Sequence, residues 1–282
     1  MATFATSDQL LVVIDPAARQ TDGESVRIAK DVLSAGAATK VCLPDGPEEF
    51  ARALARRGSR RPVVVGDDRA LVRAVSHLHR QRDLAGCVLS VVPVGQAALA
   101  EALGVPAGAV AAARAVLDGA ARQLDLLVDD SDGVVLGTLG IPPAPVRAAA
   151  AEPVSVASGR PWLRTTYRSL VRNLAPRPAR LASVPCPGPS RLRVEVDGET
   201  VVDLDQPVET VSVAPGTGGM ASVEVRPLSV GAEATPLRVS GQTVTVAGAD
   251  FRYRADSAVS GPVRRRTWRV VEGAWGLTLP SA

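Results

Sequence analysis

The feature that most constrains the fold is a change of hydrophobic period along the chain. Up to about residue 130, short unbroken apolar runs alternate with stretches of helical spacing; after Pro189 the spacing becomes two. The runs at 10–14, 39–43, 62–66, 88–92 and 124–128 are rich in valine. Continuous rather than alternating apolarity is what a parallel strand covered on both faces requires. Helices are expected between them. Residues 24–35 run up to Gly36, a natural left-handed C-terminal position. Pro47 suits a first helical turn, with Phe50 and Leu54 on one face and Gly58 as the stop. Asp67 is placed to cap a helix whose stripe is Leu71, Val75 and Leu78. Segments 97–103 and 109–117 end near Gly104 and Gly119. Strand and helix in strict alternation predict a doubly wound parallel sheet with right-handed crossovers.

The second half reads differently. Residues 141–160, rich in Pro and Ala, suggest a linker, and 161–174 an amphipathic helix with Leu163, Tyr167, Leu170 and Leu174 on its stripe. Then Leu192, Val194 and Val196 alternate with Arg191, Arg193 and Glu195, and Asp197-Gly198 supplies the φ > 0 pair of a type I′ hairpin turn. Further short runs at 208–213, 221–225, 237–240, 243–247, 251–254, 263–271 and 275–279 predict an antiparallel β-sandwich. The expected fold class is therefore α/β, with an N-terminal doubly wound parallel-sheet domain at 1–131 and a C-terminal antiparallel β-sandwich domain at 132–282. The last strand or strands are free to return to the N-terminal domain.

Composition narrows the function classes. A net charge of +3 and dispersed basic residues without interleaved aromatics disfavour nucleic acid. Cys42, Cys87 and Cys186 are odd in number, far apart and in no metal-ligand spacing, as in a reduced cytoplasmic protein. The first residues carry no signal-peptide pattern, and no apolar run reaches the roughly 18 residues of a membrane span. Cytoplasmic localisation is expected.

Four short segments carry more specific information. Asp15-Pro16-Ala17-Ala18-Arg19 ends the first strand and Gly66-Asp67-Asp68-Arg69-Ala70-Leu71 the third. Pro93-Val94-Gly95-Gln96-Ala97-Ala98 ends the fourth and continues as Leu99-Ala100-Glu101-Ala102-Leu103-Gly104-Val105-Pro106. Asp256-Ser257-Ala258 comes late. In order and spacing these resemble the motifs of the diacylglycerol kinase and bacterial lipid kinase family. Those motifs read Asn-Pro-x-x-Gly, Gly-Gly-Asp-Gly-Thr-Leu, Pro-x-Gly-Thr-x-Asn-Asp with its Leu-Ala-Arg-x-Leu-Gly-Ile-Pro continuation, and Asp-Gly-Glu. The resemblance spans nearly the whole chain. It implies nucleotide contacts at Asp15, Gly66, Asp68, Arg69, Pro93 and Gly95, and makes Asp68 the candidate catalytic residue. It also implies ATP and Mg²⁺ as cofactors of an active member, with a lipid alcohol such as diacylglycerol as substrate. Ligands of an open parallel sheet bind beyond its C-terminal strand ends, where the three N-terminal motifs lie.

The sequence departs from that pattern where phosphate chemistry would occur. Asp15 stands for Asn and Arg19 for the turn glycine. Asp67 and Arg69 replace phosphate-loop glycines, and Ala70 replaces the Thr. An acidic Asp67 adds repulsion to a lost close approach, although Arg69 has the charge to neutralise a phosphate. Gln96-Ala97-Ala98 replaces the Thr-x-Asn-Asp portion with one residue fewer, and Ala258, which accepts no proton, stands for the late Glu. Three readings follow: a catalytically impaired relative acting as a binding or regulatory module, an active ATP-dependent lipid kinase with altered motifs, or an unrelated small-molecule-binding α/β protein.

Other features have plainer readings. His77 and His79 point to different faces of a helix, and no metal is expected there. Asp129, Asp130 and Asp132 beside Gly133 suggest a turn. The stretch from Ala214 to Met220 lacks the Gly-Lys-Ser/Thr end of a phosphate loop and reads as a hairpin. Trp162, Trp268 and Trp275 are expected in cores or interfaces. Arg264, Arg265 and Arg266 form the densest basic run, read as a solvated strand face or as a surface for an anionic membrane.

Overall fold

Three of the valine-rich runs become strands buried on both faces. The computed structural model describes residues 9–143, 190–228 and 235–281. In it β1 (Gln9–Ile14), β2 (Ala38–Cys42), β3 (Arg61–Gly66) and β4 (Val88–Pro93) are parallel, in the order β2-β1-β3-β4. Val12, Val13, Val64 and Val92 are wholly buried. Strand β2 is half exposed because it lies at the sheet edge, with β1 as its partner. The helices are α1 (Pro16–Thr21), α2 (Gly23–Gly36), α3 (Pro47–Ala55), α4 (Asp68–Arg80), α5 (Ala98–Ala102) and α6 (Ala109–Asp118). Helix α2 packs with α6 and α3 with α4, the two pairs that right-handed crossovers place on opposite faces. The expected stripe of α4 is buried, as are Phe50 and Leu54 of α3.

Gly36 corrects one expectation. It is the last residue of α2, and Ala37 after it is extended. A Cβ on Gly36 would stand 2.4 Å from Leu117 Cδ1, so the glycine matches the close approach of α6 and not a left-handed turn.

The run at 124–128 is the larger correction. It lies in β5 (Ala120–Asp129), which is antiparallel and pairs with β14 (Ala258–Leu279). The place beside β4 belongs to the far end of β14, which runs parallel to it with Gly276 opposite Val88. The first half of β5 is exposed and polar, whereas Trp275, Leu277 and Leu279 form an unbroken buried run. Burial on two faces therefore favours the distant segment. The Ser90 hydroxyl also donates to Thr278 Oγ1 at 2.8 Å, a buried contact between residues 188 positions apart.

The remaining strands are β6 (Val134–Val135), β7 (Leu139–Ile141), β8 (Ser190–Val196), β9 (Glu199–Val202), β10 (Pro207–Pro215), β11 (Ala221–Pro227), β12 (Leu237–Gly241) and β13 (Thr243–Ala255). Their alternation buries Leu192, Val194, Val211, Val223 and Val246 in a second core, joined by Trp268 of β14. Asp197 and Gly198 both have positive φ, as the predicted hairpin needs. The runs at 243–247 and 251–254 merge in β13, and those at 263–271 and 275–279 in β14, each across an irregularity. At the second of these the Asp125 carboxylate accepts from the backbone N–H groups of Gly273 and Gly219, both at 2.8 Å. Strand β14 thus belongs to both cores, with Trp268 in one and Trp275 in the other. Hydrogen bonding runs through all fourteen strands. The position expected for the domain boundary, after residue 131, falls in the turn between β5 and β6.

The glycine run joins β10 to β11 as a hairpin. The acidic run is a turn in which Asp129 Oδ1 accepts from the backbone of Ser131 and Gly133. His79 meets Asp132 at 2.9 Å, while burial lowers the pKa of His77. Cys42 and Cys87 are free thiols. Among the described residues no helix is long and apolar enough to cross a membrane. The expected helix at 161–174, with Trp162, lies outside the described residues, as do Cys186 and most of the linker.

Candidate functional site

The sheet order reverses between β1 and β3, so the crevice where a ligand is expected opens at their C-terminal ends. Here Asp15 and Arg73 meet. Asp15 follows β1 and is 3% exposed. Its Oδ1 caps α1 by accepting from Ala17 N–H at 2.9 Å, and its Oδ2 accepts from Arg73 Nη1 of α4 at 2.5 Å. The Arg73 guanidinium also lies 5.5 Å from the centre of the Phe50 ring. A Cβ on Gly66 would meet the Asp15 Cβ at 3.0 Å and the Ala70 Cβ at 2.7 Å. Glycine at 66 therefore lets the two strand ends close on each other.

The turns after β3 and β4 clasp one another. Asp67 caps α4, its Oδ1 accepting from Ala70 N–H at 3.0 Å. Asp68 N–H donates to the Gln96 carbonyl at 2.9 Å. In return the Asp68 carboxylate accepts from Leu99 N–H and Ala100 N–H, both at 3.0 Å, at the start of α5. Gly95, at φ +94°, turns the chain so that Gln96 reaches back over α4. Val94 N–H meets the Gly66 carbonyl at 2.9 Å, and Pro93 pairs in register with Gly66. Two backbone donors that an anion at the start of α4 would use are thus already engaged inside the chain.

The late segment joins this cluster. Asp256 sits at the tip between β13 and β14 with φ +48°. Its carboxylate accepts from the backbone N–H groups of Leu136, Gly137 and Thr138 at 2.9, 2.8 and 3.2 Å. Burial pushes its pKa up, opposed by those three hydrogen bonds and reinforced by the negative charge of Asp68. Ala258, two residues on, is exposed.

Of the residues singled out in the sequence, Asp15, Gly66, Asp68, Pro93 and Gly95 are gathered at neighbouring strand ends, and Asp256 comes near Asp68. Arg69 is exposed, with no ion pair among the described residues. The run Arg264–Arg265–Arg266 is not one patch, because alternation along β14 divides it. Arg264 pairs with Asp250 at 3.0 Å, half-buried Arg266 pairs with Asp130, and Arg265 is exposed. Arg73 is absent from the sequence-based candidates, and Gln96 figures there only as a departure from the motif. Arg73 is 58 positions from Asp15 and on no common stripe with it, and Gln96 acts through its carbonyl, which no side-chain motif reveals. Among the described residues no group of three His, Cys, Asp or Glu is placed to hold a metal ion.

No family model matches this sequence, and no curated protein does. Solved structures do match. The crystal structure of a diacylglycerol kinase from Bacillus anthracis str. Sterne aligns with a TM-score of 0.69 and 12% identity, covering 98% of each chain. Two more structures from that organism, described as a candidate diacylglycerol kinase, align with a TM-score of 0.70 and 13% identity, again covering 98% of each chain. The chain has the fold of these bacterial diacylglycerol kinase structures over almost its full length.

Proposed function

We propose that this chain is a catalytically impaired member of the diacylglycerol and lipid kinase family, acting as a binding or regulatory module and not as a phosphoryl-transfer enzyme. The observation that carries the reading is the clasp at the strand ends. Where glycines would let backbone N–H groups approach the phosphates, Asp67 caps α4 with its own carboxylate and Asp68 is spent on the start of α5. Asp15 is held by Arg73 in the crevice that the nucleotide would enter. The residues present do not fit Mg·ATP, because negative charge and filled donors stand where phosphoryl transfer needs positioning and charge neutralisation. Ala258 in place of the late Glu fits the same reading, since loss of a general base costs roughly 10²–10⁴-fold in rate.

An active lipid kinase is the second reading, favoured by Asp68 and Gly95 and by the approach of Asp256 to Asp68. One pair of measurements separates the two. Calorimetry of the full chain with Mg·ATP and ADP should give no saturable binding up to about millimolar nucleotide. Radiolabelled phosphate transfer to mixed lipid vesicles should give no labelled lipid. Micromolar ATP binding, together with lipid labelling that disappears in Asp68→Asn, overturns the proposal in favour of the active enzyme.

A further inference from the structure

A concavity beside the strand-end clasp has the chemistry of a binding site. Glu49, Arg52 and Ala53 of α3 and Arg56, the residue that caps its C-terminus, fall at i, i+3, i+4 and i+7, one stripe. That stripe faces Lys40 and Cys42, two residues on the same side of edge strand β2, with Leu11 of β1 beneath. Leu43 and Pro44 close one end. The groove is open to solvent on one side and has a volume of about 320 Å³, within the range of small-molecule sites. Its apolar surface comes from Leu11, Cys42, Leu43, Pro44 and Ala53, and Leu43 is 55% exposed.

The rim is cationic. Glu49 is its one acid, and it already accepts from Asp45 N–H at 3.0 Å and stands 3.6 Å from Arg52. Lys40 and Arg56 are exposed and have no ion pair among the described residues. Two uncompensated cations over an apolar floor match a ligand with a negative head and an apolar tail.

We propose that the groove between β2 and α3 binds a small amphipathic anion, its tail on Leu11, Cys42 and Ala53 and its carboxylate or phosphate head at Lys40 and Arg56. The site lies beside the strand-end clasp, with Pro44 held by Arg19 at 2.8 Å, and needs no nucleotide. The outer edge of β2, unpaired among the described residues, also invites an extended peptide. The groove's limited volume and the paired placement of charge and apolar surface favour the small ligand.

The test uses the full chain and four probes below their micellar concentrations: decanoate, decyl phosphate, decanol and inorganic phosphate. Calorimetry should show saturable binding of at least one of the first two, with decanol and inorganic phosphate weaker by about tenfold or more. Comparing decanoate with decyl phosphate tells which head is preferred. Lys40→Gln with Arg56→Gln should weaken binding by about tenfold, and Ala53→Leu should block the tail, without lowering the unfolding midpoint by more than about 2 °C. As a second readout, alkylation of Cys42 by iodoacetamide, followed on its own peptide by mass spectrometry, should slow when the groove is filled. Binding that ignores the head, the tail or these substitutions overturns the proposal. So does an acidic peptide that binds at β2 when neither amphiphile does.

Discussion

The helix-backed region and the strand-only region use the same device to different ends. In both, an aspartate carboxylate gathers backbone N–H groups from a distant turn. Asp197 accepts from Gln242 and Thr243 in the strand-only region, and Asp125 accepts from Gly219 and Gly273. These contacts pin hairpins and irregular strands. At the ends of β3 and β4 Asp68 does the same at the start of α5, while Asp67 caps its own helix, so both carboxylates occupy helix starts. In both regions the chain satisfies otherwise unpaired backbone donors with its own carboxylates. In one region the carboxylates hold hairpins and irregular strands, and in the other they engage donors at two helix starts.

The largest expected effects test whether the two regions are one cooperative body. Trp275→Ala and Trp268→Ala each empty a wholly buried site, at a cost of about 3–5 kcal/mol. Because β14 supplies both residues, each substitution should lower a single shared unfolding transition, followed by near-ultraviolet dichroism against urea. Two transitions, with one substitution moving each, would mean that the regions are energetically separate.

Next comes the clasp at Asp256. Asp256→Ala leaves the N–H groups of residues 136–138 without their acceptor and should cost about 2–3 kcal/mol by urea unfolding. A loss below about 0.5 kcal/mol would show that water replaces the carboxylate freely.

A smaller effect is expected at the strand ends. Asp68→Ala should cost about 1 kcal/mol through the start of α5. Asp67→Gly combined with Arg69→Gly restores the glycines of the resembled motif, and calorimetry should then detect Mg·ATP binding that the parent chain lacks. Continued absence of binding in that variant would place the obstruction at Asp15 and Arg73 instead.

The smallest effect is a pH dependence. Burial raises the Asp256 pKa, so the folded chain holds that proton more tightly than the unfolded chain does. The stability of the parent chain relative to Asp256→Asn should be greatest below the ordinary carboxyl value of 3.8 and decline as pH rises through the raised folded value. A difference that is flat or grows with pH removes burial as the cause.

Much of the fold was legible because burial imposes period. The valine runs at 10–14, 62–66 and 88–92 had to be covered on two faces, and the alternation at 192–196 on one. The fifth run misled because 124–128 and 275–279 satisfy the same pattern, and local spacing does not say which of two apolar segments takes the place beside β4. Candidate site residues were legible as types in order. Their use was not. Nothing in the spacing shows that Asp68 turns toward Leu99 and Ala100, or that Arg73 crosses to Asp15, because such contacts are set by the packing of elements far apart in sequence.

The length and position of β14 bear on how the protein is made. Synthesis is vectorial, and β4 emerges from the ribosome 188 residues before the Thr278 that contacts its Ser90. Until then the parallel sheet carries an open edge of bare amide and carbonyl groups on a valine-rich strand, a template for mispairing with other nascent chains. Premature termination anywhere in β14 should therefore yield aggregation-prone fragments and not a smaller soluble protein, and cells making this chain would depend on chaperones during that interval.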